Sequence, residues 1–168
     1  VYDKVAKVLD LPYPGGPNIE KYALQGTPSY DLPKPMNNDE LNFSYSGLKS
    51  AVINLVHNEK QRGNELRKYD LAASFQTVAI DELVRKTELA INQLGIERLI
   101  IAGGVTANKY LRGEMEKLAQ KHNIKLTIPP MKYCTDNAAM IGCAAYPLYL
   151  KKDFTDYSLN AQSALDLF

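Results

Sequence analysis

The residues best placed to do chemistry lie in Leu99-Ile100-Ile101-Ala102-Gly103-Gly104-Val105-Thr106-Ala107-Asn108, an apolar run that meets two glycines and then a helical pattern. Glycines adopt backbone angles closed to other residues and, having no side chain, let a ligand approach the main chain. The helix that follows offers unpaired N–H groups to an anion or a polar ligand edge. A strand ending in Gly-Gly also arises for packing reasons alone. The weight therefore falls on two companions, Tyr13-Pro14-Gly15-Gly16-Pro17 upstream and Cys134-Thr135-Asp136-Asn137-Ala138-Ala139-Met140 downstream. Ser44, Ser46, Gly47 and Lys49 together can hold a phosphate, although helix capping explains the serines more simply.

These stretches need elements to position them. Residues 1–10 have helical apolar spacing, with Val1, Val5, Val8 and Leu9 on one side and Asp3 on the polar side. Pro17 suits the first turn of a helix running to about Gln25, with Gly26 as its stop. Pro28, Pro33, Pro35 and the Asn37-Asn38-Asp39 cluster make the next segment a surface loop. A short strand at Phe43 then precedes a serine-capped helix to about Asn58. After a polar connection from Gln61 to Lys68, the longest helix spans about Asp70 to Leu94, with Asp70 as its cap and Gly95 as its end. Ala72, Phe75, Ala79, Leu83, Thr87, Ala90 and Leu94 trace one face of it, and Asp81, Glu82, Arg85, Lys86 and Glu88 lie elsewhere.

Arg98 to Ala102, nearly all apolar, reads as a mid-sheet strand covered on both faces. A helix from Ala107 to about His122 turns Leu111, Met115, Leu118 and Ala119 inward, and Ile124 to Ile128 alternates as a half-covered strand closed by Pro129-Pro130. That is a strand–helix–strand crossover, which favours parallel pairing. A small-residue helix from Asp136 to about Tyr146 can pack close to neighbouring backbone, and Pro147 bends or ends it. The expected fold class is α/β, a central sheet with flanking helices and more helix than strand.

At 168 residues and 45% hydrophobic, the chain can bury one domain's core. Twenty Lys and Arg against 19 Asp and Glu leave a net charge of +1, so any nucleic-acid contact is local rather than a global basic surface. Cys134 and Cys143 lack zinc or disulfide spacing, and a reducing compartment is the simpler setting. No apolar run approaches the roughly 18 residues that span a bilayer, and no signal peptide opens the chain. A cytoplasmic location is expected. Helical spacing already at Val1, with no initiator methionine and no cap, suggests a piece cut from a longer chain.

In order along the chain, Tyr2-Asp3-Lys4-Val5-Ala6, Tyr13-Pro14-Gly15-Gly16-Pro17, Phe43-Ser44-Tyr45-Ser46-Gly47-Leu48-Lys49, Asp70-Leu71-Ala72-Ala73-Ser74-Phe75-Gln76, Ala102 to Asn108 and Cys134 to Met140 resemble the C-terminal half of the tRNA threonylcarbamoyltransferase family, the TsaD type, long labelled O-sialoglycoprotein endopeptidase or glycoprotease. The resemblance implies an ASKHA fold, the actin-like and Hsp70-like architecture of two α/β lobes around a nucleotide cleft. Residues 1–168 would be one domain, the C-terminal lobe, without the N-terminal one. It implies transfer of threonylcarbamoyl from an adenylate to an adenosine beside the tRNA anticodon. By position, Asp3, Gly16, Glu20, Gly103, Gly104 and Asn108 would contact ATP or the adenylate, and Asp136 would ligate one divalent metal, iron or zinc. Glu20 departs from the aspartate the family often carries there. No separate catalytic residue is assigned.

The implied partners are tRNA, threonylcarbamoyl-adenylate, a paralogous ASKHA subunit and an ATPase subunit, with no membrane. The family's other metal ligands are two histidines at HxxxH spacing, which His57 and His122 do not supply. Weak or no metal binding and no transfer by this segment alone are expected. His122 suits a helix C-terminus, and His57 a helix surface. Exposed apolar surface where the other lobe would dock can drive self-association. A metal-dependent peptidase, the older label, would need HExxH or its equivalent, which is missing from the sequence. A non-catalytic ASKHA scaffold subunit is the remaining alternative, against which Asp3, Gly16, Asn108 and Asp136 speak.

Overall fold

A computed structural model of the chain describes residues 1–36 and 38–161. Asn37, part of the expected turn cluster, lies outside the described residues, as does the end of the tail, 162–168. Six helices and two short strands follow in the order α1 (Tyr2–Val8), α2 (Gly15–Ala23), α3 (Ser46–Gln61), α4 (Lys68–Leu94), β1 (Arg98–Ile100), α5 (Lys109–His122), β2 (Lys125–Thr127) and α6 (Ala138–Leu150), among the described residues. The class is α/β with far more helix than strand, as expected.

α4 is the spine. Its 27 residues give a rod of about 40 Å, long enough to serve two cores. The first half buries Leu71, Ala72 and Phe75 against Val5 and Leu9 of the first segment, Ile19 of α2, and Leu48 and Val52 of α3. Phe75 is fully buried and takes the Tyr2 ring edge-on, with centroids 5.0 Å apart. Burying a side chain of that size contributes roughly 1.5–3 kcal/mol. The second half turns Ile80 and Ile91 towards Leu111, Met115 and Leu118 of α5, the inward face expected for that helix. Gly95, at φ 63°, ends α4 in the left-handed region that glycine enters without penalty.

Several local expectations change. No strand forms at Phe43, and α3 starts at Ser46 behind Tyr45 with no side-chain cap from either serine. Asp70 lies inside α4, whose N-terminal flank is Arg67. There Asp70 pairs with Arg67 at 2.9 Å and accepts the Thr27 N–H at 2.9 Å, so it ties down the proline-rich segment instead of capping. Gly26 is needed for more than a helix stop, because a Cβ there would lie 2.1 Å from the Tyr69 carbonyl oxygen. Glu82 and Lys86 are buried, not solvated. Lys86 Nζ donates to Asn38 Oδ1 at 2.9 Å and the Glu40 carbonyl at 2.6 Å, and the loop from the prolines folds over them. Helical spacing sorted these residues by polarity, whereas a buried ion with partners belongs inside.

β1 and β2 pair in parallel, Leu99 opposite Leu126, which bears out the crossover. β1 is shorter than expected and is not covered on both faces: Ile100 is 72% exposed. Its second edge has no strand beside it among the described residues. α6 starts at Ala138 with Asn137 Oδ1 accepting the Met140 N–H at 3.0 Å. It runs through Pro147 to Leu150 with no buried residue, so the expected close packing is not seen. Exposure explains the tolerance, since the carbonyl that Pro147 leaves unpaired can be hydrated. Cys134 is buried outside this helix, Cys143 is exposed on it, and both are free. No helix of the described residues is long and apolar enough to cross a membrane.

Candidate functional site

A cleft of about 470 Å³ opens where α1, α2 and the Gly-Gly turn meet. Asp3, Gly16, Glu20, Gly104 and Asn108 line it together with Tyr2, Pro17, Val105 and Thr135. Five of the expected binding positions, drawn from three separate stretches of sequence, therefore share one cavity. Gly103 stands just outside at φ 92°, a backbone setting that favours glycine, and its carbonyl accepts the Thr106 N–H at 3.0 Å to close a 3₁₀ turn over Gly104–Ala107. Asp136 is exposed and does not line the cleft, although its neighbour Thr135 does.

Short hydrogen bonds frame the cavity. Asp3 Oδ1 accepts the Gly15 N–H at 2.7 Å, joining α1 to the first residue of α2. The two glycines of the Pro-Gly-Gly-Pro stretch then divide the work. A Cβ on Gly15 would sit 2.5 Å from Asp3 Cα, so Gly15 lets the helices approach, whereas a Cβ on Gly16 meets nothing within 4 Å and faces open space. Glu20 reaches from α2 across to α5, where its Oε1 accepts the Lys109 N–H at 2.6 Å. Asn108 caps α5 through the Leu111 N–H at 2.9 Å and donates to Gln76 Oε1 of α4 at 2.8 Å.

These bonds alter the chemistry expected of the turn. Of the first N–H groups of α5, that of Lys109 is taken by Glu20 and that of Leu111 by the Asn108 cap, so this helix end is only partly open to a phosphate. Asp3 and Glu20 line the cleft, and among the described residues no Lys or Arg does. Two carboxylates, a main chain laid bare by Gly16 and Gly104, and apolar Val105 and Pro17 suit a neutral, hydroxyl-rich ring system better than a polyanion. Carboxylates accept from vicinal hydroxyls, and flat rings stack on exposed glycine backbone.

Tyr2 borders the cleft with a buried hydroxyl that has no hydrogen-bond partner among the described residues. Burial, then Tyr45 and Glu20, push its pKa well above the ordinary phenol range, so it stays protonated and is no candidate base. Tyr45 is pushed up to about 12 by burial and by Glu82, and its hydroxyl donates to the Ala79 carbonyl at 3.2 Å.

The metal expectation does not gather a site here. No three His, Cys, Asp or Glu side chains come together to hold an ion among the described residues. Asp136 offers one exposed carboxylate, which does not fit a complete divalent centre. His122 is not merely a dipole partner: its Nε2 is 2.6 Å from Glu88 Oε1, which Lys121 also meets at 2.7 Å. His57 is exposed on α3 as expected.

Gln76, Thr135 and Tyr2 each stand inside one of the motifs, with no signal of their own in the sequence. Arg112 is an isolated basic residue in a helical pattern and carries no local signal at all.

Residues 1–143 match the TsaD family model, described as tRNA N6-adenosine threonylcarbamoyltransferase. A protein of that name from Bacillus cereus is 52% identical over 168 residues, covering 99% of this chain and 49% of the relative. One from Halalkalibacterium halodurans is 48% identical over 167 residues, and one from Moorella thermoacetica 48% over 169, each with the same coverage of both chains. The chain spans about half the length of the curated relatives it matches.

Proposed function

The chain belongs to the TsaD family, whose fold is of the ASKHA type, and from that premise we propose that it carries the nucleoside half-site of a tRNA threonylcarbamoyltransferase. The reading rests on one observation: Asp3, Gly16, Glu20, Gly104 and Asn108 converge on a single cleft. In it, Gly16 and Gly104 hold the adenosine of ATP or of threonylcarbamoyl-adenylate against bare main chain, and Asp3 and Glu20 accept from its ribose hydroxyls. Asn108 positions the turn through its cap and through Gln76, while Gly103 sets the turn's entry. Asp136 would be one ligand of a divalent metal, iron or zinc, whose remaining ligands the described residues do not gather.

The whole enzyme would move the threonylcarbamoyl group to a tRNA adenosine in the cytoplasm, assembled with a paralogous ASKHA subunit and an ATPase subunit. The present chain alone does not carry out the transfer. Its exposed apolar β1 edge and α6 are the surfaces through which it would self-associate.

The test is calorimetric titration of adenosine and of ATP into the chain and into its Gly16→Leu variant. A Cβ at Gly16 meets nothing within 4 Å, so leucine there extends from the cleft wall, and an unchanged circular dichroism spectrum is the control for the fold. Adenosine should bind, with no Lys or Arg among the described residues lining the cleft to hold the phosphates of ATP, and Gly16→Leu should abolish binding of both. Equal binding to the variant refutes the assignment of the cleft.

A further inference from the structure

We propose that Arg112, which lines no part of the cleft, is a positioning residue that locks the Gly-Gly turn to the Cys134–Asp136 stretch and so holds the cleft's Thr135 edge in place. This rests on the nucleoside reading of the cleft for its functional consequence, but not for its mechanics.

Three contacts carry it. From the first turn of α5, Arg112 Nε donates to the Thr106 carbonyl at 2.6 Å, inside the turn that follows Gly104. Its Nη2 donates to the Pro129 carbonyl at 2.9 Å, just after β2, and to Cys134 Sγ at 3.1 Å. Thr106 and Cys134 are both buried, 2% and 3% exposed, so the guanidinium joins two segments at their hidden sides. The next residue after Cys134 is Thr135, which lines the cleft together with Gly104 and Asn108.

A guanidinium does this because its donors leave a rigid plane in fixed directions, so one group holds acceptors on two segments at once. An ammonium gathers its three donors at one point on a flexible stem and does not reproduce the fixed, spread directions of the guanidinium fork. The segment from Pro129 to Cys134 has little else to hold it. Its thiol faces the carbonyls of Pro129 and Pro130 at 3.8 and 3.6 Å, and α6 beyond it is exposed throughout. Without Arg112, the turn and the Thr135 edge move independently, and the cleft loses its width while the two cores remain.

The experiment pairs hydrogen exchange with titration on the chain and its Arg112→Lys and Cys134→Ala variants. Arg112→Lys should lower amide protection in 104–107 and in 131–135 together by about tenfold or more, with the first core, α1 to α3, unchanged. Cys134→Ala, which leaves both carbonyl contacts, should loosen 131–135 only. Adenosine affinity should fall about tenfold in Arg112→Lys, the scale on which a supporting contact acts through its neighbour. Protection lost in one segment alone, or in neither, overturns the linkage. Coupled loosening with unchanged adenosine affinity overturns the positioning role. If adenosine fails to bind even the unsubstituted chain, the nucleoside reading falls, and the exchange data still decide whether Arg112 couples the segments.

Discussion

Two adjacent glycines, Gly15 and Gly16, should respond in opposite directions to the same substitution. A methyl group on Gly15 would lie 2.5 Å from Asp3 Cα, 2.7 Å from Asp3 Oδ1 and 2.9 Å from Ala6 Cβ, two of them backbone or buried positions that cannot yield without parting α1 from α2. Overpacking of that kind costs about 1–3 kcal/mol. Parting the helices also weakens the Gly15–Asp3 bond, a charge-assisted contact of about 1.5–3 kcal/mol. The two effects share one displacement and do not simply add, and alanine recovers up to about 1 kcal/mol of helix propensity. The net expectation for Gly15→Ala is a loss of about 2–4 kcal/mol. Gly16→Ala meets nothing within 4 Å, so only the propensity gain remains, from zero to about 1 kcal/mol. With a urea slope of about 2 kcal/mol/M, circular dichroism should show Gly15→Ala unfolding some 1–2 M earlier and Gly16→Ala at or slightly above the unsubstituted midpoint. Equal midpoints for the two variants would refute the division of labour between the glycines.

Lys86→Met should cost about 3–5 kcal/mol by leaving Glu82 buried beside Arg85 alone and freeing Asn38 and Glu40; adding Glu82→Leu should restore part of it in chemical denaturation. Tyr2→Phe removes a buried hydroxyl without a partner among the described residues, so stability should hold or rise by up to about 1 kcal/mol, and a fall in thermal midpoint would count against it. Lys121 and then His122 hold the Glu88 carboxyl below its ordinary value. A depressed carboxyl contributes stability above its unfolded pKa of about 4.3 and loses it as pH falls through the lower folded value. Denaturation midpoints taken below pH 4.5 should therefore fall more steeply for the unsubstituted chain than for Glu88→Gln, and parallel curves would contradict the pairing.

Helix order and the parallel crossover are legible because they depend on local spacing, whereas the five cleft positions are legible only through the family resemblance, since Asp3 and Glu20 by themselves read as caps or solvated charges. α5 is readable because Leu111, Met115, Leu118 and Ala119 recur at helical intervals. What escaped was decided by partners distant in sequence. Glu82 and Lys86 look like a solvated face until a loop more than forty residues upstream supplies the Asn38 and Glu40 acceptors. Asp70 looks like a cap until Thr27 meets it. The open helix end expected after Gly104 is partly taken by Glu20 from 89 positions away, which accepts the Lys109 N–H. Gly15 and Gly16 are indistinguishable as letters and differ only in what stands opposite each.

Whether this cleft binds a nucleoside through its own residues can be read from amide chemical shifts recorded while adenosine is added to the ¹⁵N-labelled chain. Saturable shifts are expected at Gly16, Gly104, Val105 and Lys109, with α3 and β2 silent. Shifts confined to other surfaces, or none at millimolar adenosine, would contradict the nucleoside reading.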